Sequence, residues 1–164
     1  MTPDFSALIA KLTDAGFEFV IIDGYAAVTH GSAQVTRDLD LCAVLTEETI
    51  GVLRDALRDW NPRHRLTPQR LWFLTVPSPG APVNNLSLQT DVGVIDVLTS
   101  VLGVGDYVRL KAKAERLEVD GRVCYVMSLE DLIAAKEAMN RDKDAITAKE
   151  LRVIAARRRT GGAA

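Results

Sequence analysis

The sequence is poor in the residues that build disulfide scaffolds and soft-metal sites. It has two cysteines and two histidines in 164 residues. Cys42 and Cys124 both stand inside apolar runs, where a free cysteine behaves as a small hydrophobic residue. No second histidine or cysteine stands at metal-ligand spacing from His30. We therefore expect no disulfide framework, a reducing compartment, and a packing or capping role for His30 at the end of a short helix.

Long apolar runs and an excess of one charge are also missing. No stretch of about 18 apolar residues is present to cross a bilayer, and the N-terminal residues carry no basic, cleavable leader. Lys and Arg number 20 against 22 Asp and Glu, which leaves a net charge of −2. The chain as a whole is therefore not suited to coating a polyanion, and any contact with nucleic acid needs a local patch. We expect a cytoplasmic protein.

The composition that remains is that of one globular domain, with 48% hydrophobic and 26% charged residues. Hydrophobic periodicity predicts helices over residues 3–15, 25–30, 46–60 and 106–114, and two more after Ser128, the second starting near Asp142. Strand patterns cover residues 17–22, 39–45, 86–90, 92–98, 117–119 and 123–126. Residues 61–84 hold five of the six prolines, which predicts a long loop around a short strand near residues 71–76.

Three aspartates are the candidates for chemistry. Asp38 and Asp40 stand two residues apart in a strand pattern, so both project from one face, roughly 7 Å apart at Cα. Two such carboxylates can share a divalent cation that completes its shell with substrate phosphates. Asp96 is the candidate third acid, because a lone carboxylate in an apolar strand is costly to bury without a positive partner. Asp91 competes for that place, but its odd separation from Asp96 favours the opposite face. Taken alone, the Asp38 and Asp40 pair also fits a solvated strand end.

The order of these residues resembles the DNA polymerase β-type nucleotidyltransferases. The pattern of that family is an apolar residue, Gly, Gly or Ser, a spacer of roughly 9 to 13 residues, then Asp, apolar, Asp or Glu, apolar. Here Ile22-Asp23-Gly24 is followed by 13 residues and then by Asp38-Leu39-Asp40-Leu41. The later VIDVL and the helical SLEDLIAAKEAMNRDKD are similar to a small bacterial branch that includes abortive-infection and toxin–antitoxin components. The likeness touches about residues 16–44 and 85–151.

The resemblance implies an α+β nucleotidyltransferase fold, with a small twisted mixed β-sheet, helices packed behind it and a C-terminal helical segment. In domain terms it implies a core over residues 1–127, a helical segment packed on it over 128–159, and a disordered tail over 160–164. It further implies a metal-dependent enzyme that moves a nucleoside monophosphate from an NTP such as ATP to a hydroxyl-type acceptor and releases pyrophosphate. Asp38, Asp40 and Asp96 would hold Mg²⁺ or Mn²⁺ as catalytic carboxylates, and Asp96 would help to activate the acceptor hydroxyl.

The resemblance also implies where the nucleotide binds. Gly24 and Tyr25, at the start of a short helix, would approach the phosphates, since glycine and free helix N–H groups allow a close approach. Positive charge for the triphosphate would come from Lys136, Arg141 and Lys143. The acceptor remains open between a small molecule, a tRNA and a protein, and an antitoxin-type partner is implied by the branch.

Two residues depart from the family pattern and keep other functions open. Asp23 stands where glycine is usual, and a carboxylate beside a phosphate site repels the nucleotide unless it turns away or meets a cation. Gln34 stands where many relatives have arginine. The alternative function is therefore a catalytically weak member that binds nucleotide or a partner within a toxin–antitoxin pair. A third possibility is a haloacid-dehalogenase-type phosphatase using Asp38 as nucleophile, but that family has an unbroken apolar strand before the motif, unlike residues 34–37.

Overall fold

A mixed β-sheet organises the chain, in a computed structural model that describes residues 2–161. The helices are α1 (Phe5–Asp14), α2 (Asp23–Thr29), α3 (Glu47–Leu57), α4 (Tyr107–Lys113), α5 (Leu129–Met139) and α6 (Asp142–Gly161). The strands are β1 (Val20–Ile22), β2 (Asp38–Cys42), β3 (Arg63–His64), β4 (Asn85–Thr90), β5 (Gly93–Leu98), β6 (Ser100–Val101), β7 (Gly105–Asp106), β8 (Glu115–Val119) and β9 (Arg122–Val126). One 3-10 turn, Arg58–Trp60, follows α3.

Within residues 2–161, seven strands form one sheet in the order β3-β4-β5-β2-β1-β9-β8, and β6 and β7 form a separate two-stranded ribbon. The strand β2 runs parallel to β5, and β1 runs parallel to β9. The remaining neighbours are antiparallel, including the two hairpins β4–β5 and β8–β9. The prediction of an α+β fold around a mixed sheet is confirmed.

One face of the sheet is buried in the core, so the alternate side chains of each strand lie on the opposite face. Leu39 and Leu41 of β2 and Ile95 and Val97 of β5 are fully buried, in one hydrophobic core with leucines of α1 and α3. Burial of each such side chain stabilises the fold by about 1.5–3 kcal/mol, so a slip of the strands by one residue is strongly disfavoured. Side chains alternate along a strand, and the opposite face therefore carries the intervening residues Asp38, Asp40 and Asp96.

Local capping explains where the helices begin. Thr46 accepts a hydrogen bond from the backbone N–H of Thr49 at 3.2 Å and starts α3, as its sequence predicts. Ser128 accepts from the N–H of Asp131 at 3.1 Å and starts α5 in the same way. The first strand is shorter than residues 17–22, because the N–H of Phe17 closes α1 by bonding to the carbonyl of Leu12.

The strand predicted near residues 71–76 is wrong. The edge strand of the sheet is instead Arg63–His64, which pairs antiparallel with β4, and Trp72 contributes a single bridge to Arg63. The start of the apolar run pairs with the outer side of β3, where the N–H of His64 donates to the carbonyl of Leu71 at 2.7 Å and the N–H of Phe73 to that of Pro62 at 3.0 Å. The pairing goes no further, and Pro77 has no N–H with which to extend it. Residues 65–84 form the long loop that the prolines predict.

Side chains from the core hold that loop in place. Arg54 of α3 donates from Nε to the carbonyl of Phe73 at 2.9 Å, and from Nη2 to the carbonyl of Pro77. His64 Nε2 lies 2.6 Å from the carbonyl oxygen of Val76 and donates to it. Phe73 is fully buried beneath the Arg54 guanidinium, which lies 5.3 Å from the ring centre. The loop is therefore a fixed wall of the molecule.

The C-terminal helices pack together and reach back to the loop before β2. Ser32 donates to Glu150 of α6 at 2.6 Å, and Gln34 donates to Thr147 of the same helix. The helix α6 continues through Gly161, two residues into the segment predicted to be disordered, while residues 162–164 lie outside the described part of the chain. Among residues 2–161, no helix combines the length and apolarity that crossing a membrane requires.

Candidate active site

Strand register brings two of the three aspartates side by side. In the parallel pair of β2 and β5, Asp40 lies opposite Asp96. In the hairpin of β4 and β5, Ser87 lies opposite Asp96, and in the pair of β1 and β2, Ile22 lies opposite Asp40. Because directly paired residues share a face of the sheet, Ser87, Asp96, Asp40 and Ile22 form one row across it. Asp38 stands two residues before Asp40 on the same face.

The carboxylates of this row repel one another. Burial, the charges of Asp23 and Asp96, and a hydrogen bond with Asp96 raise the pKa of Asp40 to about 8. The charge of Asp38 acts in the same direction. Two close carboxylates cannot both ionise cheaply without a compensating cation, so the row favours a proton or a metal ion between them.

Polar partners fix the outer two carboxylates. The hydroxyl of Ser87 donates to Asp96 Oδ1 at 2.5 Å, and Arg65 Nη1 lies 3.7 Å from Asp38 Oδ2. Neither Ser87 nor Arg65 is among the site residues that the sequence predicts. The pairing of Ser87 with Asp96 follows from a two-residue hairpin turn between Thr90 and Gly93, so counting back from that turn is the signal that finds it.

The carboxylates suit a hard divalent cation in chemistry, although they do not yet converge on one point. Mg²⁺ takes oxygen ligands and usually one or two carboxylates together with water and phosphate oxygens. Among residues 2–161, no three acidic, histidine or cysteine side chains lie close enough together to form a metal site as they stand. Asp38 is turned to Arg65 and Asp96 to Ser87, which accounts for this. The donor set therefore fits the ion in chemistry, and the three carboxylates are not gathered around one point in this conformation.

A cavity of about 590 Å³ opens above Asp40 and Asp96, and we name it the carboxylate cavity. Its floor contains Asp23, Asp40, Asp96 and Ser87. Its wall comes from β3 and the long loop, and consists of His64, Arg65, Leu66, Thr67, Pro77, Pro82, Val83, Asn84 and Asn85. A cleft of this size that contains polar groups, one of them with a perturbed pKa, is the usual form of an active site.

Asp23, the departure from the family pattern, is paired with a lysine. Lys136 of α5 binds the carboxylate of Asp23 through Nζ, and the same Nζ lies 3.8 Å from Asp144 of α6. The lysine is buried, with 8% of its surface exposed, whereas the side chain of Asp23 is 38% exposed, so the ion pair is partly buried and offsets the charge of the acid. Asp23 also has a φ of 56°, a left-handed conformation that costs side chains other than glycine energy. Asp23 therefore meets a cation instead of standing free beside the carboxylates.

The other residues predicted to bind nucleotide lie in different places. Tyr25 packs edge-on against Phe5, with ring centres 5.5 Å apart, and is not part of the carboxylate cavity. Arg141 binds Asp144 at 2.5 Å and lowers the pKa of that carboxyl, so its charge is already engaged. Lys143 is exposed in the first turn of α6. Of the three predicted cations, only Lys136 contacts a residue of the cavity floor.

Gly24 has a packing reason to be glycine. A Cβ at this position would lie 2.7 Å from Oγ1 of Thr36, which itself donates to the carbonyl of Asp38 at 3.0 Å. The loop before β2 thus approaches the start of α2 more closely than a side chain permits. The phosphate contact of Gly24 stays a prediction.

His30 and Asp91 lie outside the site. His30 is buried, lies 2.7 Å from the carbonyl of Met127 through Nε2, and accepts from Arg158 at 3.0 Å through Nδ1. Its predicted packing role is confirmed. Asp91 stands exposed in the turn between β4 and β5, away from the row of carboxylates.

Comparisons with known proteins address the fold. No family model matches the chain, and no curated protein matches it by sequence. Among solved structures, the lincosamide antibiotic adenylyltransferase LnuA, with lincomycin bound, is 14% identical with a TM-score of 0.59, covering 94% of this chain and 99% of that one. The antibiotic-resistance factor ANT(2'')-Ia in solution is 14% identical, with a TM-score of 0.54 and coverage of 97% and 91%. ANT(2'')-Ia in complex with adenylyl-2''-tobramycin is 12% identical, with a TM-score of 0.52 and coverage of 95% of each chain. The chain therefore has the nucleotidyltransferase fold.

Proposed function

We propose that the protein is a nucleotidyltransferase that moves a nucleoside monophosphate from an NTP to a hydroxyl acceptor. The observation that carries this proposal is the pairing of Asp40 with Asp96 across parallel strands at the floor of the carboxylate cavity, with Asp38 on the same face. The fold shared with two antibiotic-modifying adenylyltransferases supports the same class of reaction.

In this reaction the acceptor oxygen forms a bond to the α-phosphorus of the NTP, and the bond from that phosphorus to the β-phosphate oxygen breaks. Pyrophosphate leaves with the electron pair. The proton of the acceptor hydroxyl passes to Asp96, whose carboxylate is oriented by the hydroxyl of Ser87. The floor of the cavity therefore holds both the base and the group that positions it.

Asp38, Asp40 and Asp96 are the residues that would hold Mg²⁺ or Mn²⁺. When bound, such ions supply positive charge to the attacking and leaving oxygens. The raised pKa of Asp40 reflects burial beside other carboxylates, and a bound cation would compensate their charge. Lys136 pairs with Asp23 beside this region, so the polyphosphate does not meet an unpaired fourth acid.

The wall of the carboxylate cavity contacts the acceptor in this proposal. LnuA is described with lincomycin and ANT(2'')-Ia with adenylyl-2''-tobramycin, so both fold neighbours act on small antibiotics. For this chain the acceptor stays open between a small molecule, a tRNA and a protein. The long loop at residues 65–84 is held rigidly by Arg54, and its side chains would set the choice.

The second candidate is a catalytically weak nucleotide- or partner-binding member of a toxin–antitoxin pair. Its grounds are Asp23 and Gln34, which replace the glycine and arginine of the family pattern. The ion pair with Lys136 weakens the first ground, and the bond from Gln34 to Thr147 gives the second a structural role. The enzyme is therefore the better-supported function.

Calorimetric titration of the four NTPs in the presence of Mg²⁺ tests the proposal. We expect binding that needs the metal and is lost in the double variant Asp38→Asn/Asp40→Asn. The exposed Asp91→Asn is the control, because it removes an acid from the turn between β4 and β5, outside the row of carboxylates, and should bind as the wild type does. Absence of NTP binding by the wild type at millimolar concentration contradicts the enzyme, and binding that survives in the double variant moves the site elsewhere.

A further inference from the structure

A second, smaller cavity adjoins the carboxylate cavity. Its volume is about 250 Å³, and it shares Asp23 and Leu98 with its neighbour. We name it the apolar cavity, because its lining is otherwise mainly aliphatic and includes Ile22, Val101, Leu132 and Ala135. The polar side chains on it are Ser100 and the Asp23–Lys136 ion pair.

The apolar cavity opens on the same face of the sheet as the carboxylates. Ile22 lies directly opposite Asp40, and Leu98 stands two residues after Asp96 in the same strand, so both share the face of the acids. The helix α5 covers this end of the face with Leu132 and Ala135. The two cavities are therefore neighbouring compartments, and Asp23 stands where they meet.

An NTP likewise combines an apolar part with a highly charged part. Its base is a flat ring with apolar faces, and its triphosphate is a compact polyanion. The apolar cavity, at about 250 Å³, is less than half the size of the carboxylate cavity at about 590 Å³, as suits the smaller, apolar part of such a ligand. Apolar walls with few polar groups are typical of pockets that bind such rings.

We infer that the apolar cavity holds the nucleobase of the NTP, with the polyphosphate passing Lys136 on its way to the carboxylates. This inference rests on the proposed function and adds the place of the base to it. Because the lining offers few hydrogen-bonding side chains besides Ser100 and the ion pair, the base is held by contact with its faces. Selection between bases by hydrogen bonds is therefore weak.

Inorganic tripolyphosphate is the probe that separates the base from the phosphates. With Mg²⁺ present, calorimetry on the full chain compares tripolyphosphate with ATP, GTP, CTP and UTP. We expect the four NTPs to bind at least about tenfold more tightly than tripolyphosphate, and to lie within about tenfold of one another. Equal affinity for tripolyphosphate and the NTPs overturns the inference, as does a wider spread between bases.

A variant of the cavity wall supplies the second measurement. Ala135→Leu reduces the space in the apolar cavity, and the matched control Ala134→Leu adds the same side chain at the neighbouring, exposed position of α5. We expect Ala135→Leu to raise the Kd for the NTPs to that for tripolyphosphate, while the control changes neither. A folded Ala135→Leu protein that binds NTPs like the wild type contradicts the base site alone. Failure of the wild type to bind either probe with Mg²⁺ contradicts the proposed function itself.

Discussion

The ion pair between Asp23 and Lys136 predicts how the affinity for NTP changes when either partner is replaced. Asp23→Gly removes one negative charge next to the proposed phosphate path and leaves Lys136 with Asp144 as its partner at 3.8 Å. The substitution also restores the residue that suits a φ of 56°. We expect Asp23→Gly to bind NTP more tightly than the wild type does.

The size of the effect follows from charge separation. One unit charge acting on another at about 6 Å with an effective dielectric constant of about 20 gives about 3 kcal/mol. Hydration of the polyphosphate and screening by salt reduce this by about half, which corresponds to roughly a tenfold decrease in Kd. In the opposite direction, Lys136→Met leaves Asp23 unpaired beside the phosphates and should raise Kd by about the same factor.

The double variant Asp23→Gly/Lys136→Met completes a double-mutant cycle that tests whether the two charges act on NTP binding as a pair. Both charges are then absent, so its Kd for NTP with Mg²⁺ should return to near that of the wild type, as calorimetry measures. Asp23→Asn is the control for charge alone, since it keeps a side chain that tolerates the left-handed conformation. An unchanged Kd in Lys136→Met would refute the role of the pair. A gain of a hundredfold or more in Asp23→Gly would instead favour the weakly active member of a toxin–antitoxin pair.

Three further predictions concern other parts of the site. Because the raised pKa of Asp40 makes the folded protein bind more protons than the unfolded chain between about pH 4 and pH 8, stability should fall as pH rises through that window. Asp40→Asn should flatten the trend and raise the free energy of unfolding at pH 8 by about 1–2 kcal/mol in urea titrations, and a trend unaltered by the variant would contradict the assignment. Arg54→Met removes two bonds to the long loop, so proteolysis within residues 65–84 should quicken while NTP binding persists; equal cleavage rates would show that the loop is held by other contacts. Ser87→Ala frees Asp96 from its donor and should reduce kcat in pyrophosphate release by about tenfold or more with little change in NTP affinity; loss of NTP affinity alone would place Ser87 in binding.

Local patterns predict the strands that carry the acids but not what those acids meet. Residues close together in the sequence predict the alternation of buried leucines with Asp38 and Asp40. They also predict the hairpin that brings Ser87 to Asp96. The partner of Asp23 lies 113 residues away on another helix, and no periodicity links the two positions. Only the packing of α5 against α2 brings Lys136 there.

The wrong strand in the long loop has a related cause. An apolar run resembles a strand over its whole length, whereas only residues 71–73 pair with β3 and the chain then reaches Pro77, which has no N–H to extend the pairing. The end of α6 shows the reverse error, because residues 160–164 are predicted to be a disordered tail. That helix continues to Gly161, aided by the contact of Arg158 with His30.

The hydrogen bonds between the loop before β2 and α6 join residues far apart in the sequence, so they form only after α6 has been synthesised. Ser32 and Gln34 leave the ribosome early, but their partners Glu150 and Thr147 are made more than a hundred residues later. A nascent chain can pair β1 with β2 as soon as both have emerged, yet the segment leading into Asp38 stays without its anchors until α6 is complete. The position of the segment that leads into Asp38 therefore depends on contacts between distant parts of the sequence as well as on strand pairing nearby.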